Sequence, residues 1–262
     1  MSEPRNDLAI DGEGLVKRFG TFTAVDGLSL QVPRGAFYAF LGPNGAGKST
    51  TIALLTGIYR ADAGRIHLLG RDLQANPLEV KRLIGVVPED LALFERLTGR
   101  QYLVFCGRMY GLTSDEAEKR TEELLQLTEL AFKADSLVAD YSKGMRRRIA
   151  IAAAVIHGPG VLFLDEPFEG IDVVASAVVR ELLKELKRSG VTLFLTTHVL
   201  EIADKLATHA GFIRAGKIVE AGTVPELLER HKATSLEDVF NVVVGSPVAK
   251  GAKLSWVSGT GT

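Results

Sequence analysis

Residues 42–50 read GPNGAGKST, directly after the apolar run AFYAFL at 36–41 and running into the helix-compatible stretch STTIALLTGIYR at 49–60. Gly42, Gly47, Lys48 and Ser49 satisfy G-x-x-x-x-G-K-[ST] in the strand–loop–helix context that gives the pattern its meaning. Glycines let successive backbone N–H groups converge on phosphate oxygens. The helix start adds its positive end, and the lysine adds a mobile point charge. At average residue usage an accidental match in a chain this long has a chance on the order of 1–2%. Gly42, Pro43, Asn44, Gly45, Ala46, Gly47, Lys48, Ser49 and Thr50 are therefore the candidate nucleotide-phosphate site, with the Ser49 hydroxyl as a Mg²⁺ ligand.

Working outward, LSLQV, then PRG, then AFYAFL reads as strand, turn and central strand. GRIHLLGRDL reads as a short hairpin around Gly64 and Gly70, and LIGVV (83–87) as a buried strand. Between about 95 and 158 strand-like runs vanish. There EAEKRTEELLQLTELA places Ala117, Leu124, Leu127 and Ala131 on one stripe, which predicts an amphipathic helix within an inserted helical subdomain. GVLFLDEP and GVTLFLTTH are then continuous apolar strands separated by a helix over 174–188. Strands buried on both faces with helices between them imply an α/β fold with a mostly parallel sheet. HAGFIRAGKIVEAG predicts a late hairpin turning near Gly216. The stretch from Gly245, with Trp256, has little periodicity.

Two further acidic stretches belong with the phosphate loop. In VLFLDEP (161–167) four apolar residues carry Asp165 to the end of a buried strand, the edge where open parallel sheets bind ligands. Asp165 is thus placed for Mg²⁺ or its water shell, and Glu166 for an attacking water. His198 ends the next apolar strand and reaches the same edge, in a γ-phosphate or water-positioning role. VVPED (86–90) leaves a strand into two acids. Glu89 is a site candidate there and Asp90 an exposed turn residue.

Composition sets the outer limits. The 262 residues are 46% hydrophobic and 24% charged, with a formal net charge of −1, which disfavours strong nucleic-acid binding. Cys106 is the one cysteine, so no internal disulfide or cysteine-rich zinc site can form. Residues 1–14 hold one basic residue, Arg5, and no apolar run follows, so no signal peptide is expected. The most apolar segment, IAIAAAVIHGPGVLFL (149–164), is interrupted by His157, Gly158, Pro159 and Gly160, well short of the roughly 20 residues that span a bilayer. Any role at a membrane must come through a partner.

These motifs, in this order, resemble the ATP-binding subunit of an ABC transporter over roughly residues 8–240. GPNGAGKST corresponds to Walker A and VLFLDEP to Walker B with its following glutamate. YSKGMRRR (141–148) resembles the signature sequence, Asp172 in GID the D-loop, His198 the switch histidine, and Phe19 in KRFG the aromatic that stacks on adenine. The resemblance implies a P-loop NTPase core, an N-terminal antiparallel β subdomain and the helical insert. It divides the chain into a tail (1–8), an ABC ATPase domain (9–240, with the insert at 95–158) and a C-terminal tail (241–262). It further implies a Mg-dependent ATPase whose catalytic residues are Glu166, His198, Lys48 and Glu89, with metal ligands Ser49, Asp165 and Glu89.

Two such subunits, identical or homologous, would meet head to tail, with Ser142 and Gly144 donating to the partner's γ-phosphate. Closure on ATP would drive a separate multispanning membrane subunit from the cytoplasmic face of the membrane. The signature departs from L-S-G-G-Q at Lys143 and Met145. Arg146, Arg147 and Arg148 then read as a solvated helix face, with contacts to a partner or membrane subunit as the alternative. Glu89 stands where the family usually has Gln; it can accept but, when ionised, cannot donate as the amide does. YSKGMRRR and SLEDVF (235–240) resemble ABC-2-type export ATPases. A soluble ABC ATPase in assembly, translation or nucleic-acid work, or a low-turnover regulatory subunit, are the alternatives.

Overall fold

A computed structural model describes residues 7–245. Strands β1 (Leu8–Phe19) and β2 (Phe22–Pro33) form an antiparallel hairpin in which Phe19 faces Phe22 across a two-residue tip. After the turn at Gly35, β3 (Phe37–Leu41) is buried along its whole length. It runs through the phosphate loop into α1 (Lys48–Leu55). Then come β4 (Ala63–Leu68), β5 (Arg71–Asp72), α2 (Pro77–Lys81) and β6 (Ile84–Val87). The helical insert holds α3 (Gly99–Met109), α4 (Ser114–Leu127) and α5 (Lys143–Val155). The core resumes with β7 (Val161–Asp165), α6 (Val173–Arg188), β8 (Thr192–Thr197), α7 (Leu200–Leu206), β9 (His209–Arg214) and β10 (Lys217–Thr223). Helices α8 (Val224–His231) and α9 (Leu236–Val243) follow.

Two sheets result. One is antiparallel, in the order β2-β1-β4-β5. The other runs β10-β9-β3-β8-β7-β6 and is parallel except for the β9–β10 hairpin. FYAFL, VLFLD and TLFLTT are buried at every residue because neighbours cover both faces of this sheet. Tyr38, Phe40, Phe163 and Phe194 point into the core shared with the antiparallel sheet and α1. Phe37, Leu162, Leu164, Leu193 and Leu195 point the other way, toward α5 and α6. The strand period of two thus splits each apolar run between the two faces of the sheet, and on β3 the face of Phe37 continues through Ala39 and Leu41 into a further cluster with Phe212.

The insert begins with a capping box, in which Thr98 accepts from the Gln101 amide and the Gln101 side chain accepts from the Thr98 amide. Thr113 and Glu116 repeat the device at α4. The buried residues of α4 are Ala117, Thr121 and Leu125, so the stripe read from sequence holds at Ala117 and at Leu124, which packs against the core, and fails at Leu127 and Ala131. Leu127 is 42% exposed and Ala131 lies in a short 3-10 turn beyond the helix end. Thr121, fully buried, breaks the hydrophobic pattern that marks the inner face.

Helix α5 belongs to two cores at once. Ile149, Ala152, Ala153 and Ile156 pack inside the insert, while Ala150, Ile151, Ala154 and Val155 pack on the parallel sheet. Gly85 of β6 permits the second contact, because a Cβ there would collide with the carbonyl of Ala154. At the other end of the chain, α9 runs past the boundary drawn at 240, and Val239 and Val244 pack with Phe212 of β9. Trp256 lies outside the described residues. Among the described residues, no helix is long and apolar enough to cross a membrane.

Candidate active site

Strands β3, β8, β7 and β6 lie side by side and parallel, so their carboxyl ends open on one edge. The phosphate loop leaves β3, Asp165 ends β7, His198 follows β8 and Glu89 follows β6. That edge is where a parallel sheet collects ligand-binding groups. A cavity of about 520 Å³ lies there, lined by residues of the loop and by Glu89, Glu166, Glu169 and His198.

The loop owes its path to close packing. Gly47 has φ +106°, and a Cβ on it would stand 2.5 Å from the carbonyl oxygen of Ala24. A Cβ on Gly42 would stand 2.5 Å from the Ile213 carbonyl oxygen. Ala46 is buried against this framework, while Pro43, Asn44 and Gly45 are exposed. Gly47 caps α1 with no side-chain bond, and no acid occupies the first turn. The helix start therefore keeps its amide donors and positive end for an anion. Lys48 is only 7% exposed. Its Nζ donates to the carbonyls of Gly42 (2.9 Å) and Pro43 (3.3 Å) and lies 3.8 Å from Glu166 Oε1.

Glu166 is the pivot of the acidic side. It is 6% exposed and has φ +46°, a region costly for a side chain with a Cβ. Its amide donates to the Thr196 carbonyl and approaches the Thr196 hydroxyl, each at 3.2 Å. Its Oε2 accepts from the His198 amide at 3.2 Å and meets His198 Nδ1 at 3.0 Å. With Nδ1 as the donor, a neutral His198 ring keeps its lone pair on Nε2. Buried Asp165 accepts from the Thr196 hydroxyl. Thr196, on the neighbouring strand, thus serves both acids.

Ser49 Oγ, the Asp165 carboxylate and the Glu89 carboxylate are hard oxygen donors at this edge. Among the described residues, no three His, Cys, Asp or Glu side chains converge as a closed metal cage. Mg²⁺ needs none, since it is commonly held by one or two carboxylates together with substrate phosphates. The donor set present fits it.

Glu89 stands on the rim, exposed. Partial desolvation, then the charges of Glu169 and Asp165 and a hydrogen bond with Glu169, push its pKa up from the ordinary glutamate value. A raised folded pKa favours the fold below the ordinary glutamate range and costs stability as pH rises through the raised value. Glu89→Gln should therefore give a higher melting temperature than the parent at about pH 8, with the gap closing toward pH ~4. Thermal unfolding across pH without nucleotide or metal checks this, and a gap independent of pH contradicts it.

The structure does not bring every sequence candidate into the cavity wall. Phe19 turns its ring edge-on to Tyr59 at 5.5 Å, beneath Lys17 Nζ. Its cross-strand partner Phe22 lines the cavity instead. Both sit at one hairpin tip, and sequence spacing does not separate them. Ser142 and Gly144 are also absent from the wall. Ser142 caps α5, accepting from the Met145 amide, and Gly144 packs on Ala175 of α6. Asp172 caps α6 by accepting from the Ala175 amide at 2.8 Å. Glu169 was missed; its signal was an acid three residues past Glu166 in the same turn, to whose carbonyl its amide donates.

The arginine run is not a solvated face. Arg146 pairs with Glu95 and donates to the carbonyls of Tyr141 and Ala139. Arg147, 3% exposed, donates to the carbonyls of Pro88 and Glu89. Arg148 donates to the Thr128 carbonyl at 2.8 Å. Successive residues on a helix point about 100° apart, so three arginines reach three different segments.

Comparison with known proteins agrees with this geometry. A family model described as ABC transporter matches residues 25–169. The chain is 41% identical to a daunorubicin resistance ATP-binding protein of Streptomyces coeruleorubidus, over 97% of this chain and 79% of that one. It is 39% identical to a Nod factor export ATP-binding protein of Ralstonia nicotianae, over 87% of this chain and 71% of that one. A solved structure of the ATP binding subunit of an ABC transporter superimposes with a TM-score of 0.83 at 29% identity, covering 90% of this chain and 99% of that one. The chain belongs to the ABC transporter family, as an ATP-binding subunit that hydrolyses ATP.

Proposed function

We propose that this subunit powers a membrane exporter, closing on ATP against a second ABC subunit while docked on a multispanning membrane protein at the cytoplasmic face. The observation behind this reading is the convergence of Lys48, Glu166, His198 and Glu89 on one cavity at the ends of four adjacent strands. The relatives named for drug resistance and Nod factor export support the outward direction.

The residues divide the work by chemistry. The phosphate loop and Lys48 hold the phosphates, the hairpin tip with Phe19 and Phe22 takes the base, and Glu166 accepts the proton of the attacking water. His198 orients Glu166 and the reacting phosphate. Mg²⁺, held by Ser49 and Asp165 with Glu89 beside them, supplies neutralisation of phosphate charge. Transition-state charge is then met by groups already fixed in place.

The site is completed by a second subunit. Ser142 and Gly144 begin a helix whose amides are not offered to this chain's own cavity, and they serve the nucleotide of the partner. The membrane subunit seats in a groove of about 290 Å³ between the loop after β6 and helices α3 and α5. Leu91, Leu93, Phe105 and Met109 line it, and Met109 is 71% exposed. An apolar surface beside the Glu89 loop suits a helix that must sense the nucleotide.

Affinity purification of the full chain from membranes, with ATPase assay of the product, tests the reading. The expected result is recovery of a multispanning protein bound in the presence of ATP and turnover above that of the chain alone. Purification from the soluble fraction with assembly or nucleic-acid factors would favour the soluble-ATPase alternative.

A further inference from the structure

Arg147 sits five residues beyond Ser142 on α5 and is almost wholly enclosed. Its two terminal nitrogens reach the successive carbonyls of Pro88 (2.9 Å) and Glu89 (3.0 Å). Nε is buried with no hydrogen-bond partner among the described residues. The fork is therefore spent on a loop 58 and 59 residues earlier in the chain. Burial pulls the guanidinium pKa down, and the charges that oppose this belong to Glu169, Glu89, Asp165 and Asp90. Those are acids of the nucleotide edge.

The contact is to main chain. Both hydrogen bonds go to carbonyls, so the Glu89 carboxylate acts on Arg147 through its charge alone and the loop is held without it as a hydrogen-bond partner. Arg146 and Arg148 provide the contrast. Their partners at 95, 139, 141, 128 and 129 all lie in the insert, whereas Arg147 crosses from the insert to the loop that leaves β6.

We propose that Arg147 is the positioning residue that makes the Glu89 loop and the first turns of α5 one body, so that the place of Glu89 at the nucleotide fixes the place of Ser142 and Gly144 for the partner subunit. This rests on the roles given above to Glu89, Ser142 and Gly144. A guanidinium can bridge two carbonyls with a rigid fork, whereas the single ammonium of a lysine keeps the charge without the fork geometry.

The test uses the full chain with Arg147→Met, Arg147→Lys and Arg148→Met. Fluorescent ATP binding, kcat and KM, melting temperature and amide hydrogen exchange are read on each. Arg147→Met should bind ATP within about twofold of the parent and keep KM, while kcat falls at least ~10-fold, the pattern of a lost transition-state arrangement. Arg147→Lys should recover only part of that. Arg148→Met, which removes a comparable clamp inside the insert, should melt earlier and keep its kcat.

Hydrogen exchange separates this proposal from the functional reading, because it does not require turnover. On adding Mg-ATP, residues 88–92 and the first turns of α5 should change protection together in the parent. In Arg147→Met only 88–92 should respond. A parent that binds ATP without hydrolysing it would count against the functional reading while leaving this readout intact. Parent-like kcat in Arg147→Met, full rescue by lysine, an equal kcat loss in Arg148→Met, or an α5 that still responds in Arg147→Met would each overturn the proposal.

Discussion

Glu166→Gln should bind ATP as the parent does and release phosphate at least ~100-fold more slowly, the range expected when a positioned general base is removed. The substitution keeps shape. A glutamine oxygen can still accept from the His198 amide and ring, the two bonds that hold the Glu166 side chain. Neither the loop glycines nor the Lys48 bonds to Gly42 and Pro43 depend on the acid. What is lost is a carboxylate able to take a proton, beside a lysine 3.8 Å away. Phosphate release measured beside fluorescent-nucleotide titration checks the split. Equal turnover in variant and parent would remove Glu166 from that role.

Gly47→Ala should destroy nucleotide binding and lower the melting temperature, for reasons internal to the loop. The residue needs φ +106°, and its Cβ would lie 2.5 Å from a backbone oxygen that cannot swing aside. Strain and collision together should cost about 3 kcal/mol, equivalent to ~6–10 °C in a domain of this size. Gly45 is the comparison. Its φ is +75°, but nothing stands within 4 Å of its missing Cβ. Gly45→Ala should therefore cost only about 1 kcal/mol of left-handed strain. Melting curves and ATP titrations of both variants check this; similar losses in the two would mean that collision with Ala24 is not what matters.

Much of the site was legible because its signals are local. The glycines, Lys48 and Ser49 fall within nine residues, and VLFL delivers Asp165 and Glu166 to a strand end without reference to the rest of the chain. His198 and Glu89 were legible for the same reason, each following an apolar strand. The arginine run was not. Whether Arg147 is wet depends on the backbone of residues 88–89, and no periodicity within 141–155 reports that packing. The second half of the α4 stripe failed differently, since Thr121 at 0% exposure looks polar in a pattern that counts only apolar residues. Phe19 and Phe22 show a third limit. A hairpin tip fixes that two rings stand together, and the fold of the neighbouring loop fixes which one faces the cavity.

Helix α5 has the geometry of a lever. Its far end is wedged against β6 through Gly85 and shared between two cores, while Ser142 stands at the near end. Thirteen residues at about 1.5 Å each make an arm of ~20 Å. A tilt of about 10° at the wedged end would carry the Ser142 end through roughly 3 Å, comparable to a full hydrogen-bond length. Small adjustments in packing around Ala154 thus become all-or-nothing differences in contact at the opposite tip. Side-chain volume beneath Gly85, remote from any phosphate, is therefore expected to set where the Ser142 end of α5 stands.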